Sequence, residues 1–243
     1  MRLTIIETGL PPDSIRDAYP GGYPLMFQQL LEPSDPDMTF ETVSVEKGDA
    51  LPNPESLDAI LITGAAYGVY DETPWMRPLK EWIGFAAENK VPMVGICFGH
   101  QIIADALGGD VRKSDKGWGI GRHTYTLNLK PDWMGEDVPD QFSVGVSHQD
   151  QVLVPPADAR ILGGSPFAPH AALVYARGPI LSFQGHPEFS EGFLADLYNA
   201  RKGRPLTEAQ IEDAVKSFSV QDDRHLMADW ITGFLNASVE QTD

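Results

Sequence analysis

The run Val91-Pro92-Met93-Val94-Gly95-Ile96-Cys97-Phe98-Gly99-His100-Gln101-Ile102-Ile103-Ala104-Asp105-Ala106-Leu107-Gly108-Gly109 decides the fold. Residues 91–96 are short, apolar and β-rich, the composition of a fully buried strand. Beyond them Ile102, Ile103, Ala106 and Leu107 recur on one helical face, and Gly108-Gly109 stops that helix. Strand passes into helix through Cys97, which has a glycine two residues to either side. So sharp a turn crowds its own neighbours: side chains at 95 and 99 would collide, while the residue at 97 is lifted clear of the backbone. The stretch predicts a nucleophile elbow. Cys97 would stand at a helix N-terminus, where the helix dipole favours a thiolate, and the Phe98 N–H would point at an oxyanion formed above the sulfur. The competing interpretation is a buried, inert cysteine beside a glycine-rich turn.

Working outward, residues 3–6 and 57–62 are two more short β-rich runs, and 39–45 alternates like a strand. Helical faces lie between them: Leu25, Met26, Gln29 and Leu30 after a Pro/Gly-rich loop at 11–22, then Leu79, Trp82, Ile83 and Ala86. Strand and helix thus alternate over the first hundred residues. That order predicts an α/β fold, a mostly parallel sheet with helices on both faces, which binds ligands where strand C-termini feed loops. After Gly109 the pattern changes to β-like runs at 121–129, 142–146, 152–154 and 173–183, expected as antiparallel additions to the same sheet. Helices return at 191–201, 207–217 and 224–235. In the last of these Leu226, Trp230, Ile231 and Phe234 form an inward stripe that should cover one face of the sheet. We therefore expect residues 1–243 to form a single domain, with a core of about 1–200 and a helical C-terminal tail at about 205–237.

Composition narrows the function. A chain of 243 residues, 42% apolar and 22% charged, has ordinary globular make-up, and its apolar runs fall short of the roughly 20 residues that span a bilayer. Eighteen Lys and Arg against 35 Asp and Glu leave a net charge of −17, which repels a phosphate backbone. The densest basic stretch carries Arg112, Lys113, Lys116 and Arg122 around Asp115 and reads as a solvated loop. Neither a membrane nor nucleic acid is an expected partner. The opening residues meet Glu7 before a signal-peptide apolar region can form, which predicts a cytoplasmic protein. One cysteine excludes an internal disulfide, and with no ligand spacing among His123, His170 and His225 no metal is expected. No glycine-rich phosphate motif is present, so no nucleotide cofactor is expected either. The tryptophans 75, 82, 118, 133 and 230 read as core or loop anchors.

A thiolate nucleophile needs a base, and the base needs a group that holds its tautomer. His186-Pro187-Glu188 supplies both at the end of the apolar run 180–183, on the sheet edge where the elbow should open. Residues two apart in an extended segment project to one side, so Glu188 can accept the Nδ1 proton while Nε2 faces the sulfur. Thr63-Gly64-Ala65-Ala66 ends the run 57–62 as a turn of small residues, and a backbone N–H of Ala65 or Gly64 there suits a second oxyanion donor. Ser147-His148-Gln149-Asp150 is a polar cluster between β-like runs, either a grip for a polar head group or a surface loop.

Gly95-Ile96-Cys97-Phe98-Gly99-His100-Gln101, Thr63-Gly64-Ala65-Ala66, Ser147-His148 and Gln184-Gly185-His186-Pro187-Glu188 together resemble class I, triad-type glutamine amidotransferase domains. Stand-alone members similar to the amidotransferase domain of GMP synthase, among them γ-glutamyl peptidases, are the nearest in pattern. The resemblance implies a flavodoxin-like amidotransferase fold and cysteine-dependent hydrolysis of a γ-glutamyl amide through a γ-glutamyl thioester. It implies that Cys97 attacks, His186 shuttles the proton and Glu188 orients it. It also assigns the oxyanion hole to Ala65 and Phe98, and the grip on the substrate's amino-acid end to Gln101, Ser147 and His148. Two positions depart from the family pattern: Ala65-Ala66 stands where many relatives carry Gly-Pro, and His100 where methionine is frequent. The substrate implied is a small γ-glutamyl compound. A separate synthetase that receives ammonia, a homo-oligomer, and a non-catalytic module that only binds all remain open.

Overall fold

The computed structural model describes residues 1–240. Strand and helix alternate as β1 (Arg2–Glu7), α1 (Asp13–Arg16), α2 (Gly22–Leu31), β2 (Thr39–Ser44), β3 (Ala59–Ile62), α3 (Met76–Glu88), β4 (Met93–Ile96) and α4 (Phe98–Ala106). A β-rich stretch follows: β5 (Asp110–Lys113), β6 (Gly119–Leu127), β7 (Gln141–His148), β8 (Asp150–Val154), β9 (Ala159–Gly164), β10 (Ala172–Tyr175) and β11 (Ile180–Phe183). Three helices end it, α5 (Glu191–Ala200), α6 (Glu208–Lys216) and α7 (Arg224–Glu240).

The main sheet runs β2-β1-β3-β4-β11-β10-β9-β6-β7. Its first five strands are mutually parallel and the other four antiparallel additions, the α/β arrangement expected. Apolar faces cover it on both sides. On one, Phe27, Leu30 and Leu31 of α2 and Met227, Trp230 and Ile231 of α7 meet Leu3, Ile5, Val94 and Phe183. Opposite, Leu79, Trp82 and Ile83 of α3 and Ile102 and Ile103 of α4 meet Ile6, Ile60, Ile62 and Met93. The stripe on α7 does cover its own sheet: the Trp230 ring meets Phe142 of β7 edge-on, centroids 5.4 Å apart. No helix among the described residues is long and apolar enough to cross a membrane.

Several local expectations need correction. The run 173–183 is two strands, β10 and β11, paired antiparallel through a turn that contains Gly178. The run 152–154 lies in β8, which pairs with β5 in a separate two-stranded sheet instead of joining the main one. The loop at 11–22 contains the single turn α1. Arg122, read as solvated, is buried in β6, where its Nη2 donates to Glu191 Oε1 at 2.5 Å. Its Nη1 lies 2.6 Å from Asp222 Oδ1, off the line of an N–H bond. Arg122 lies on the face of β6 opposite Tyr125 and Leu127 and is buried because the C-terminal helices cover that face, with Glu191 opening α5 and Asp222 just preceding α7.

The register decides where chemistry can happen. Gly95 of β4 is level with Ile62 of β3 and Ser182 of β11, so all three parallel strands end at one edge. The next residues, Thr63, Cys97 and Gln184, therefore emerge side by side.

Candidate active site

Cys97 leaves β4 with φ 53° and ψ −102°, a backbone conformation that costs a non-glycine residue about 1–3 kcal/mol. Its glycine neighbours make the turn fit. A Cβ on Gly95 would stand 2.6 Å from Gly99 O, and one on Gly99 would overlap Ile62 O. The Cys97 N–H donates to Phe183 O at 2.8 Å, its carbonyl accepts from the Gln101 N–H at 3.0 Å, and the Gly99 N–H donates to Thr63 O at 3.1 Å. These bonds pin the strained turn to both neighbouring strands, so the sulfur sits at the first residue before α4 with only 5% of the residue exposed.

His186 and Glu188 follow β11 and are both buried. The His186 N–H donates to Gly145 O at 2.9 Å, and its ring Nδ1 donates to Glu188 Oε1 at 2.8 Å. The imidazole also interacts with Cys97, and with Nδ1 engaged the atom available to the sulfur is Nε2. Burial alone would disfavour imidazolium. The Cys97 thiolate and the Glu188 carboxylate outweigh that penalty, so the His186 pKa is raised above its ordinary value. One face of the ring is stacked on Phe189, centroids 4.0 Å apart at 10°.

The turn at 63–66 closes over this group. A Cβ on Gly64 would come 2.9 Å from His186 Cε1 and 3.7 Å from Cys97 Cβ, so only glycine lets the imidazole stand there. Thr8 holds the turn, its Oγ1 donating to Thr63 O at 3.0 Å and its N–H to Thr63 Oγ1 at 3.1 Å. The N–H groups of Gly64, Ala65 and Phe98 take part in no hydrogen bond among the described residues.

A cleft of about 380 Å³ opens on Cys97, with Ala65, Gln101, Ser147 and His148 on its wall. That volume suits an amino-acid derivative. A larger cleft of about 660 Å³ lies against Tyr67 and Trp75 and contains neither Cys97 nor His186. Gln101 Nε2 donates to Asp150 O at 2.9 Å and to Gln184 Oε1 at 3.1 Å, so only its carbonyl oxygen is free for a ligand. His148 Nδ1 donates to Asp150 O at 3.1 Å, which leaves Nε2 the lone-pair atom, buried and without a partner among the described residues. Burial, reinforced by His123, pushes the His148 pKa down to about 3, and the ring is neutral. The Ser147 Oγ accepts from Arg201 Nη1 at 2.5 Å.

Four side chains at this site went unread in the sequence. Trp118, read as a core or loop anchor, does pack from its loop against the cluster of Phe193, Leu197 and Tyr198, and it also stands on the cleft wall with the Arg201 guanidinium 5.3 Å over its ring. Arg201 closes α5, and nothing in its local pattern points at the site, whereas Phe189 is adjacent to Glu188. Arg224 opens α7 and reaches back, its Nε donating to Pro187 O at 2.9 Å and its Nη2 to Glu188 O at 3.5 Å. Of these, only Phe189 carried a signal: it directly follows His-Pro-Glu.

Residues 37–196 match the glutamine amidotransferase class-I family. Among curated proteins the chain is similar to γ-glutamyl peptidase 4 of Arabidopsis thaliana, 29% identical over 73% of this chain and 72% of that protein. It is also similar to a glutamine-hydrolyzing GMP synthase subunit of Saccharolobus solfataricus, 35% identical over 55% of this chain and 69% of that one. The crystal structure of a glutamine amidotransferase from Thermotoga maritima shares the fold with a TM-score of 0.73, at 20% identity over 99% of this chain and 98% of that one. With the match extending from β2 through most of α5 and so enclosing the elbow, the turn at 63–66 and the His186 segment, the chain belongs to the class-I glutamine amidotransferase family.

Proposed function

We propose that this protein hydrolyses a γ-glutamyl amide bond, in glutamine or a γ-glutamyl peptide or conjugate, through a thioester on Cys97, and does so without a second subunit. The observation that carries the reading is the convergence at one sheet edge of a strained, buried cysteine with an imidazole hydrogen-bonded to a carboxylate at 2.8 Å. The raised His186 pKa supports an imidazolium poised to give its proton to the leaving nitrogen. The thiolate attacks the γ-carbonyl carbon, and the oxyanion that forms is met by the N–H groups of Ala65 and Phe98, with Gly64 adjoining. His186 then gives its Nε2 proton to the departing nitrogen as the C–N bond breaks, which leaves the γ-glutamyl thioester. Water, losing a proton to His186, attacks the thioester; the thiolate departs and glutamate is released. Glu188 holds the ring and stabilises its charge throughout. Gln101, Ser147 and His148 bound the space for the substrate's amino-acid end.

A second reading has one observation in its favour, the similarity to a glutamine-hydrolyzing GMP synthase subunit. On that reading the chain releases ammonia for a separate synthetase and works poorly alone. Assaying the purified chain on a γ-glutamyl panel with Cys97→Ala as control decides the matter. We expect hydrolysis by the wild type alone and a loss of about a thousandfold or more in Cys97→Ala, with the circular dichroism spectrum unchanged. Turnover in Cys97→Ala within about tenfold of wild type would remove the assignment. An inactive wild type whose Cys97 is nonetheless alkylated would favour the partner-dependent reading.

A further inference from the structure

The chain carries a net charge of −17, yet the wall of the Cys97 cleft includes Lys113, Arg201 and Arg204. Lys113 and Arg204 are exposed, whereas Arg201 is half-buried. Its guanidinium lies 5.3 Å over the Trp118 ring and gives one hydrogen bond, to the Ser147 Oγ. Among the described residues no carboxylate stands within ion-pair distance of it, and burial lowers its pKa. A half-buried cation with no anion is a costly arrangement in a folded protein, and a ligand that brings the anion resolves it. The planar fork still has free N–H groups, with the geometry that grips a carboxylate at two points. The Trp118 ring beneath it and the bond to Ser147 hold the guanidinium in place in advance.

We infer that Arg201, held by Trp118 and Ser147, is the anchor for the α-carboxylate of a γ-glutamyl substrate. This rests on the hydrolytic reading above and extends it from a reaction to a substrate class. A γ-glutamyl group carries its carboxylate three carbons beyond the carbonyl that reacts. A cation on the nucleophile's own wall meets that carboxylate, whereas the exposed Lys113 and Arg204 are left for groups on the departing amine. Asp71 and Asp150 stand on the same wall, so it offers opposite charges to the zwitterionic α-centre. A plain amide with no α-carboxylate leaves Arg201 unpaired and is rejected for that reason.

The test compares γ-glutamyl p-nitroanilide with the same compound carrying an α-carboxamide, on wild type, Arg201→Met and Arg201→Lys. Wild type should favour the free carboxylate by about a hundredfold in kcat/KM, and Arg201→Met should compress that preference below about tenfold, chiefly through KM. Arg201→Lys keeps the charge without the fork and should fall between; it also serves if the Met variant does not fold. A hundredfold preference retained in either variant overturns the inference. A second readout needs no turnover: the rate at which Cys97 is alkylated by anionic iodoacetate relative to neutral iodoacetamide. That ratio should fall about tenfold in Arg201→Met. If it falls while no γ-glutamyl compound is hydrolysed, the reaction is wrong and the anion site stands; if it is unchanged while hydrolysis proceeds, the reaction stands and Arg201 has no such role.

Discussion

In the proposed reaction Cys97, His186 and Glu188 divide the work unequally. His186 moves a proton in both halves of the proposed reaction, and its Nε2 is the atom left for the sulfur once Nδ1 is bound to Glu188. Glu188 holds the tautomer and offsets the imidazolium charge, and it reaches no reacting atom. His186→Ala should therefore cost more in kcat than Glu188→Gln, by about one to two orders of magnitude. Parallel kcat measurements on the two variants, each checked for folding by circular dichroism, decide it. Equal losses would mean that Glu188 does more than orient the ring. Phe189 belongs to the same account: stacked at 4.0 Å, it closes one face of the imidazole and restricts the ring to the plane that joins Glu188 to Cys97.

At the scale of elements, the site depends on a helix whose sequence shows no link to it. Arg224, the first residue of α7, donates to the carbonyls of Pro187 and Glu188 and so clamps the segment that presents His186. Asp223 accepts from the Ser143 N–H at 2.7 Å and ties the same helix start to β7. Arg224→Met should lower kcat about tenfold with KM nearly unchanged and cost about 1–2 kcal/mol of stability, read from urea unfolding. Arg224→Lys should restore part of kcat; a Met variant that loses stability but keeps kcat would make the clamp structural only. The contrast with the elbow explains what a sequence discloses. Gly95, Cys97 and Gly99 are legible because the constraint is local: each glycine is demanded by an atom a few residues away or on the adjoining strand. The parallel strands were legible for the same reason, being short apolar runs between helical faces. Arg201, Trp118 and Arg224 were not, because each acquires its role only when α5, β6 and α7 are brought to the sheet edge by packing. Arg122 misled for the related reason that a basic residue on the outward face of β6 becomes a buried cation once the segments carrying Glu191 and Asp222 pack over it.

Across the whole molecule, the histidines set opposite limits on the pH range. His100, bonded through Nδ1 to the Ser182 Oγ at 2.8 Å, and His148 are both pushed down to about 3, by burial first and then by other histidines. Between pH 3 and 6.5 the unfolded chain takes up protons at these positions and the folded chain does not, so stability falls as pH falls through that window. His186 acts in the other direction: its pKa is raised, so its contribution is complete below 6.5 and is lost as pH rises through the folded value. Urea unfolding should show a net loss of about 3 kcal/mol between pH 7 and pH 5, about 2 kcal/mol of it removed in His100→Gln. A flat profile over that range would mean that the two rings accept protons within the fold. The central claim, that Cys97 of this chain alone carries the γ-glutamyl group, is reached most directly by acid-quenching the purified protein during turnover of a γ-glutamyl substrate and measuring its intact mass. The account predicts a species heavier by one γ-glutamyl group, localised to Cys97, released by hydroxylamine and absent from Cys97→Ala. Steady hydrolysis with Cys97 unmodified at every quench time, and continuing in Cys97→Ala, would contradict it.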